Sequence, residues 1–132
     1  MTIVVDASCV VAALVDDGAA GRWAETQLTA DDLAAPHLMP VEVANVLRRA
    51  VLTGDLAPDI ASLAHGDLLA LPVELFEYEP LADRVWELRS SVTTYDGWYV
   101  ALAEVLEARL ATVDLRLARS KGPLCTFLTP TD

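Results

Sequence analysis

The sequence is poor in cysteine, in basic residues and in long apolar runs, and each shortage excludes a class of protein. Two cysteines occur among 132 residues, without Cys-x-x-Cys or Cys/His ligand spacing, which excludes a disulfide scaffold and a structural zinc site. The longest apolar run, residues 9–15, is far shorter than the roughly 20 residues of a membrane-spanning helix. The first 15 residues contain no basic segment or cleavage site, so we predict a cytoplasmic protein without a membrane partner.

Basic residues are so few that binding to a polyanion requires a local source of positive charge. Nine Lys and Arg residues face 20 Asp and Glu residues, and the formal net charge is -11. This charge repels nucleic acids and argues against affinity built on broad phosphate neutralisation. A small basic patch, or a divalent cation held by carboxylates, would reverse the sign locally. The positions of the acidic residues therefore matter most.

The apolar pattern and the capping signals predict strands alternating with helices in a single domain spanning residues 1–132. The predicted strands are 2–5, 33–35, 73–78, 110–113 and 126–128, with 73–78 at the edge of a sheet. The predicted helices are 9–15 with Ser8 as its N-cap, 21–28, 40–52, 58–71, 81–89 and 96–108. Crossover helices join parallel strands. The predicted fold class is therefore α/β, a three-layer α/β/α sandwich with a central, mainly parallel twisted sheet.

Four acidic residues are predicted to meet at one edge of this sheet. Asp6 and Asp114 each follow a predicted strand, and Glu42 and Asp96 lie in the first turns of predicted helices. Ligands of open parallel sheets bind outside the carboxyl ends of the strands, near the point where strand order reverses. Converging carboxylates repel one another unless a cation neutralises them, and Mg²⁺ or Mn²⁺ prefers such oxygen ligands. A water bound to that ion is a nucleophile.

A purely structural interpretation of the same acids is also open. Asp and Glu in first helical turns complement the helix dipole, and Asp after a strand is a common turn residue. Asp6 and Asp114 are nevertheless embedded in apolar sequence, where a solvated cap is less expected. The joint placement of the four acids favours a site over four independent caps.

Four segments resemble, in order and spacing, the conserved blocks of PIN-domain ribonucleases. More specifically, they resemble the VapC toxins of bacterial VapBC toxin–antitoxin systems, and the resemblance extends over essentially the whole chain. The segments are VVDAS at 4–8, PVEVANVLR at 40–48, YDGWYVALA at 95–103 and ATVD at 111–114. Gly97 departs from the family pattern, since small residues such as Ala are usual at that position.

The resemblance implies a set of site residues and partners. Asp6, Glu42, Asp96 and Asp114 would be catalytic, with Asp6, Asp96 and Asp114 as metal ligands and Glu42 orienting the attacking water. Ser8 and Thr112 would supply hydroxyls near the metal, although an N-cap role alone would also explain Ser8. The activity implied is endonucleolytic cleavage of RNA that depends on Mg²⁺ or Mn²⁺. The implied partners are an RNA substrate, a cognate VapB-like antitoxin that covers the groove, and a second copy of the chain in a homodimer.

Other polar and aromatic residues have two interpretations each. Arg116, Arg119 and Lys121 lie within six residues after Asp114, which indicates either an RNA-backbone contact or a solvated helix face. Trp98 and Tyr99 could stack on bases, but helical spacing with apolar neighbours favours a core position for the indole. His37 and His65 are isolated, which disfavours histidine catalysis.

Several other classes of α/β protein do not fit the first strand and its loop. A dinucleotide-binding fold requires G-x-G-x-x-G there, and the chain has Asp6-Ala7-Ser8. A haloacid-dehalogenase-like phosphatase would have a second Asp at Ser8, and a receiver module would have an acceptor Asp where Glu79 stands. The remaining alternative is a catalytically silent PIN-like binding module that acts only through protein partners.

Overall fold

A computed structural model describes residues 1–130, and they form a parallel sheet covered by helices on its two faces. The strand order is β3-β2-β1-β4-β5, and every neighbouring pair is parallel. The strands are β1 (Thr2–Val5), β2 (Asp32–Pro36), β3 (Val73–Phe76), β4 (Arg109–Ala111) and β5 (Phe127–Leu128).

The helices connect successive strands. Helices α1 to α4 pack against one another, whereas α5 packs against α6, which lies over β1, β2 and β4. The predicted α/β/α sandwich is therefore confirmed. Within residues 1–130 no helix is long and apolar enough to cross a membrane. The helices are α1 (Ala7–Val15), α2 (Ala19–Ala30), α3 (Met39–Leu52), α4 (Pro58–Ala70), α5 (Ala82–Glu87), α6 (Thr94–Leu106) and α7 (Leu115–Ala118), with a 3-10 turn at Glu79–Leu81 before α5.

The central strand β1 fixes the position of the site. Its residues Ile3, Val4 and Val5 are fully buried, as expected for a parallel strand covered on both faces. The chain moves outward from β1 through β2 to β3, then returns to β4 on the other side of β1. Strand order therefore reverses between β1 and β4. Asp6 begins the loop at this point, and its backbone N–H donates to the Ala111 carbonyl at 3.2 Å.

Two local predictions differ from the structure. Asp6, and not Ser8, is the N-cap of α1, because its side chain accepts from the Cys9 backbone N–H and the helix starts at Ala7. The predicted helix 81–89 is a 3-10 turn followed by the short helix α5. Pro80 at the start of that turn cannot donate a backbone hydrogen bond, which favours the tighter turn there.

Candidate active site

Asp6 is the centre of a buried polar cluster between β1 and β4. Its side chain is 5% exposed, and the Oδ1 atom accepts from the Ser8 hydroxyl at 2.7 Å and from the Cys9 backbone N–H at 2.9 Å. The Oδ2 atom accepts from the Thr112 hydroxyl. Burial and, to a smaller extent, the nearby charge of Asp96 outweigh these hydrogen bonds and raise the pKa of Asp6 to about 6. Three hydrogen bonds hold this carboxylate, but no salt bridge within residues 1–130 neutralises it.

Ser8 and Thr112 join the two loops that follow β1 and β4. Their hydroxyl oxygens are 3.2 Å apart, and both hydroxyls donate to Asp6. The Thr112 Oγ1 atom also accepts from the Asp114 backbone N–H at 2.9 Å, and Ser8 Oγ accepts from the Val113 backbone N–H at 3.2 Å. The two hydroxyls therefore fix the direction of the Asp6 carboxylate and the path of the chain towards Asp114.

Glu42 reaches the same edge of the sheet from the first turn of α3. Its Oε1 atom accepts from the Tyr99 hydroxyl at 2.6 Å, which connects α3 to α6. The pKa of Glu42 is raised because the carboxylate is partly buried and lies in the field of Asp96. Burial and the neighbouring carboxylate also raise the pKa of Tyr99, so this phenol remains a hydrogen-bond donor.

Asp96 and Asp114 form the more open side of the site. Asp96 lies in the first turn of α6, where its backbone N–H donates to the Thr93 hydroxyl that caps the helix. Asp114 caps α7 by accepting from the backbone N–H groups of Arg116 at 3.0 Å and Leu117 at 3.2 Å. Burial and the charge of Asp114 raise the pKa of Asp96, whereas its Thr93 hydrogen bond and the charge of Arg116 lower it.

The electrostatic couplings show that the four predicted acids share one neighbourhood. Asp96 raises the pKa of both Asp6 and Glu42, and Asp114 raises the pKa of Asp96. The ion pairs formed within residues 1–130 engage other acids, namely Asp31, Glu87 and Glu104. The converging carboxylates therefore repel one another without a salt bridge to compensate them.

A divalent cation suits this set of oxygen donors, although protein side chains alone would not complete its coordination shell. Within residues 1–130, no three Asp, Glu, His or Cys side chains are close enough to form a ready-made metal centre. Mg²⁺, however, commonly binds through one or two carboxylates and keeps several water molecules. Oxygen donors that are buried or half-buried fit such partly hydrated binding, and a cation would offset both the desolvation and the weaker repulsion that raise the pKa values of Asp6, Glu42 and Asp96.

A cleft of about 560 Å³ adjoins the acidic cluster at Asp96. Arg116 lines it, whereas Arg119 and Lys121 are exposed on the following turn, and the predicted RNA contact of these three residues stays a prediction. The lining residues are Arg89, Ser90, Ser91, Val92, Thr93, Asp96, Arg116, Leu117 and Ser120.

The sequence analysis assigns Tyr99 only a possible base-stacking role and misses its hydrogen bond to Glu42. Tyr99 is 1% exposed, so its ring is not available to RNA. Asp96 and Tyr99 are three residues apart on α6 and therefore share a face, and this spacing was the available signal. Trp98 is half-buried and packs edge-on against Tyr78 with ring centroids 5.3 Å apart, as the core interpretation expects.

The structure also explains the departure at Gly97. A Cβ atom on this residue would lie 3.1 Å from Val85 Cγ1, so α6 approaches α5 more closely than an Ala at this position would comfortably allow. The glycine therefore fits tight packing between these helices.

Comparisons with known proteins agree with this arrangement. The PIN domain family matches residues 3–122. Ribonuclease VapC1 of Mycobacterium tuberculosis is 41% identical over 123 residues, covering 92% of this chain and 92% of that protein. VapC ribonuclease Mb0985 of Mycobacterium bovis is 38% identical, with 93% and 94% covered. The crystal structure of VapBC2 from Rickettsia felis, bound to a DNA fragment from its promoter, superposes with a TM-score of 0.69 at 13% identity, with 98% of each chain covered.

The parallel sheet, with acidic residues at the edge where strand order reverses, defines an α/β protein with a carboxylate-based site. The match of the PIN domain family to residues 3–122, together with the 41% identity to a VapC relative, narrows this class to one family. The chain belongs to the PIN-domain family and, within that family, to the VapC ribonucleases.

Proposed function

We propose that this protein is a metal-dependent endoribonuclease, the toxin of a toxin–antitoxin pair, and that Asp6, Glu42, Asp96 and Asp114 form its active site. The observation that carries the proposal is the buried Asp6 carboxylate, which lies in the field of Asp96 and forms no salt bridge within residues 1–130. Membership of the VapC ribonucleases supports RNA as the substrate. Mg²⁺ or Mn²⁺ would be held by Asp6, Asp96 and Asp114, directly or through water.

The residues of the chain have separate tasks in this proposal. Ser8, Thr112 and the Cys9 backbone N–H keep Asp6 in one orientation, so the main metal ligand needs no reorganisation. The Tyr99 hydroxyl holds one oxygen of Glu42, which leaves the other oxygen to accept a proton from an attacking water.

When bound, the divalent ion would polarise the scissile phosphate and lower the pKa of a coordinated water. Without the ion, the four carboxylates present negative charge to an anionic substrate. The burial that raises the pKa of Asp6 also keeps water away from the carboxylate, which strengthens its attraction for a cation.

The proposal includes two protein partners. A VapB-like antitoxin would cover the acidic edge and restrain the activity, as the antitoxin complexes of the structural neighbours suggest. We also propose a homodimer in the cytoplasm, since several large apolar side chains remain exposed on α3 and α4. These residues are Val41, Leu52, Ile60, Leu63 and Leu69. A stable monomer by light scattering at micromolar concentration would contradict the dimer.

The test of the activity is cleavage of total RNA by the purified protein, with sequencing of the new RNA ends. We expect discrete cuts in Mg²⁺ or Mn²⁺, no cuts in EDTA, and recovery when the ion is restored. Asp6→Asn should not cut, because it removes the buried anion that holds the metal. The matched control is Asp67→Asn, an exposed acid on α4, which should cut normally.

Two results would contradict the proposal. Undiminished cleavage in EDTA would remove the metal from the mechanism. Equal cleavage by wild type and Asp6→Asn, with both chains folded by circular dichroism, would mean that the acidic edge is not the active site. Absence of cleavage in the wild type under all metal conditions would favour the alternative of a catalytically silent binding module.

A further inference from the structure

The cleft beside Asp96 has the opposite charge character from the acidic cluster. Two of the nine basic residues of the chain, Arg89 and Arg116, line it, together with the hydroxyls of Ser90, Ser91 and Ser120. Its volume of about 560 Å³ lies within the range of about 300 to 1,000 Å³ typical of ligand sites. The proposed chemistry of the acids does not use this space.

Arg89 is held in place by a neighbour on the same helical segment. Its guanidinium carbon lies 4.6 Å from the centroid of the Trp86 ring, and its Nη1 atom donates to the Trp86 carbonyl at 2.8 Å. Trp86 is 63% exposed, so it contributes little to the core. A stacked and hydrogen-bonded guanidinium loses less entropy on binding an anion than a free one, and its remaining N–H donors stay available.

Arg116 lies beside the acidic cluster as well as in the cleft. It is close enough to Asp96 to lower the pKa of that carboxylate, yet it forms no ion pair within the described residues 1–130. Arg84, by contrast, is engaged by Glu104 and Glu87 and is not free to bind a ligand. Arg89 and Arg116 are therefore the cations available next to the site in a chain of net charge -11.

We propose that the cleft between Arg89 and Arg116 binds a backbone phosphate of single-stranded RNA adjacent to the one that is cut, and that Trp86 is a positioning residue for Arg89. This inference rests on the proposed ribonuclease function and extends it to substrate binding. Guanidinium groups bind phosphate oxygens through paired N–H donors, and the serine hydroxyls add further donors. The positive charges of Arg89 and Arg116 attract phosphate locally, although the net charge of the chain repels it.

The experiment measures binding separately from cleavage. All variants carry Asp6→Asn, and fluorescence anisotropy reports their affinity for a short fluorescein-labelled oligouridine in MgCl₂ over a series of salt concentrations. We expect Arg89→Gln and Arg116→Gln each to weaken binding about tenfold and to reduce the salt slope by about one. Arg109→Gln is the matched control, because this exposed residue begins β4 at the opposite edge of the sheet. It should change the affinity less than about twofold.

Trp86 has its own test. Trp86→Ala should weaken binding about fivefold, Trp86→Phe should retain most of the affinity, and Trp86→Ala should add nothing once Arg89 is Gln. Equal losses in Trp86→Ala with and without Arg89 would overturn the positioning role, since the ring would then contact RNA independently. Thermal unfolding of each variant verifies that the fold is retained.

The outcomes separate this inference from the proposed function. Unchanged RNA affinity in Arg89→Gln and Arg116→Gln would overturn the phosphate site even if the wild type cuts RNA. A loss of the same size in Arg109→Gln would also overturn it, because the attraction would then be diffuse. Equal competition by oligouridine and an oligoglutamate peptide would indicate a site for acidic protein segments. A wild type that binds through the two arginines but does not cut RNA would leave the phosphate site standing and defeat the ribonuclease proposal.

Discussion

Asp6 and Asp114 occupy equivalent places in two strand–helix units, yet their surroundings differ. Each residue follows a central strand, and each caps the next helix by accepting backbone hydrogen bonds. Asp6 is buried and accepts from two hydroxyls in addition, whereas Asp114 is half-buried and accepts from two backbone N–H groups. The same capping position is therefore desolvated at Asp6 and partly solvated at Asp114.

This difference shows what a structural cap does not explain. Capping gives Asp114 a sufficient structural role, because Asp is among the preferred N-cap residues. Capping does not account for the burial of Asp6, since a solvated Asp or Ser would cap α1 without the cost of desolvation. The excess cost at Asp6 indicates selection for a function that needs a buried anion.

The largest expected effect is the loss of RNA cleavage when Asp6, the buried N-cap of α1, is replaced. Asp6→Asn keeps the size and much of the hydrogen bonding of the side chain but removes its charge. We expect cleavage to fall by about 10²- to 10³-fold, because the principal metal ligand is lost. Asp114→Asn should cause a smaller loss, since water can more easily replace a half-buried carboxylate than a buried one. Initial rates on one RNA measure both, and equal losses would contradict the ranking.

A smaller effect is expected from Thr112, which touches both acids. Thr112→Val preserves the shape but removes the hydroxyl that donates to Asp6 and accepts from the Asp114 backbone N–H. Metal affinity and cleavage should fall by about 10- to 100-fold, as for other residues that orient metal ligands. Thr29→Val is the matched control, because this exposed hydroxyl donates to the Glu25 carbonyl on α2, away from the acids. Wild-type metal affinity in Thr112→Val would show that Asp6 needs no such orientation.

The stability of the metal-free protein should depend on pH through Asp6. Its pKa is about 6 in the folded chain and ordinarily 3.8, so the folded state binds more protons between these values. The contribution of Asp6 to stability is therefore most favourable below about pH 4 and falls by up to about 3 kcal/mol as pH rises from about 4 to above about 6. The raised pKa values of Glu42 and Asp96 act in the same direction.

Urea unfolding in EDTA at a series of pH values measures this dependence. Asp6→Asn should flatten the curve and be the more stable chain at about pH 8, because its side chain has no charge to bury. Parallel curves for the two proteins would show that Asp6 is ionised without cost in the folded state.

The smallest expected effect is on the free energy of unfolding when Asp114, the half-buried N-cap of α7, is replaced. Asp114→Ser retains an N-cap hydroxyl for α7 and should change the free energy of unfolding by no more than about 0.5 kcal/mol. Asp114→Ala, which removes the cap, should cost about 1 kcal/mol. Chemical denaturation of the two variants tests this, and a large destabilisation by Ser would mean that the Asp114 charge has a structural role.

The sequence allowed the fold and the acidic positions to be predicted, because both depend on local signals. Apolar β-branched runs indicated the strands, and proline and glycine indicated several helix ends, so the parallel sheet followed from the lengths of the connections. The acids were found because they follow strands or start helices, and topology brings those places to one edge. The identity of the α1 cap was wrong, because Ser8 and Asp6 are both good capping residues and only the three-dimensional contacts distinguish them.

Side-chain partners between distant segments were beyond local reasoning. The pairing of Glu42 with Tyr99 joins residues 57 positions apart, and that of Asp6 with Thr112 joins residues 106 apart. The stacking of Arg89 on Trp86 is local in sequence, but its placement in the cleft opposite Arg116 depends on how α5 and α7 meet the start of α6.

The most direct test of the central claim is to measure Mn²⁺ binding to the purified protein by electron paramagnetic resonance or calorimetry. If the buried Asp6 and its acidic neighbours hold one divalent ion together, the wild type binds Mn²⁺ and Asp6→Asn binds it at least about tenfold more weakly. Asp67→Asn should bind like the wild type. Equal Mn²⁺ affinity in the wild type and Asp6→Asn would contradict the account.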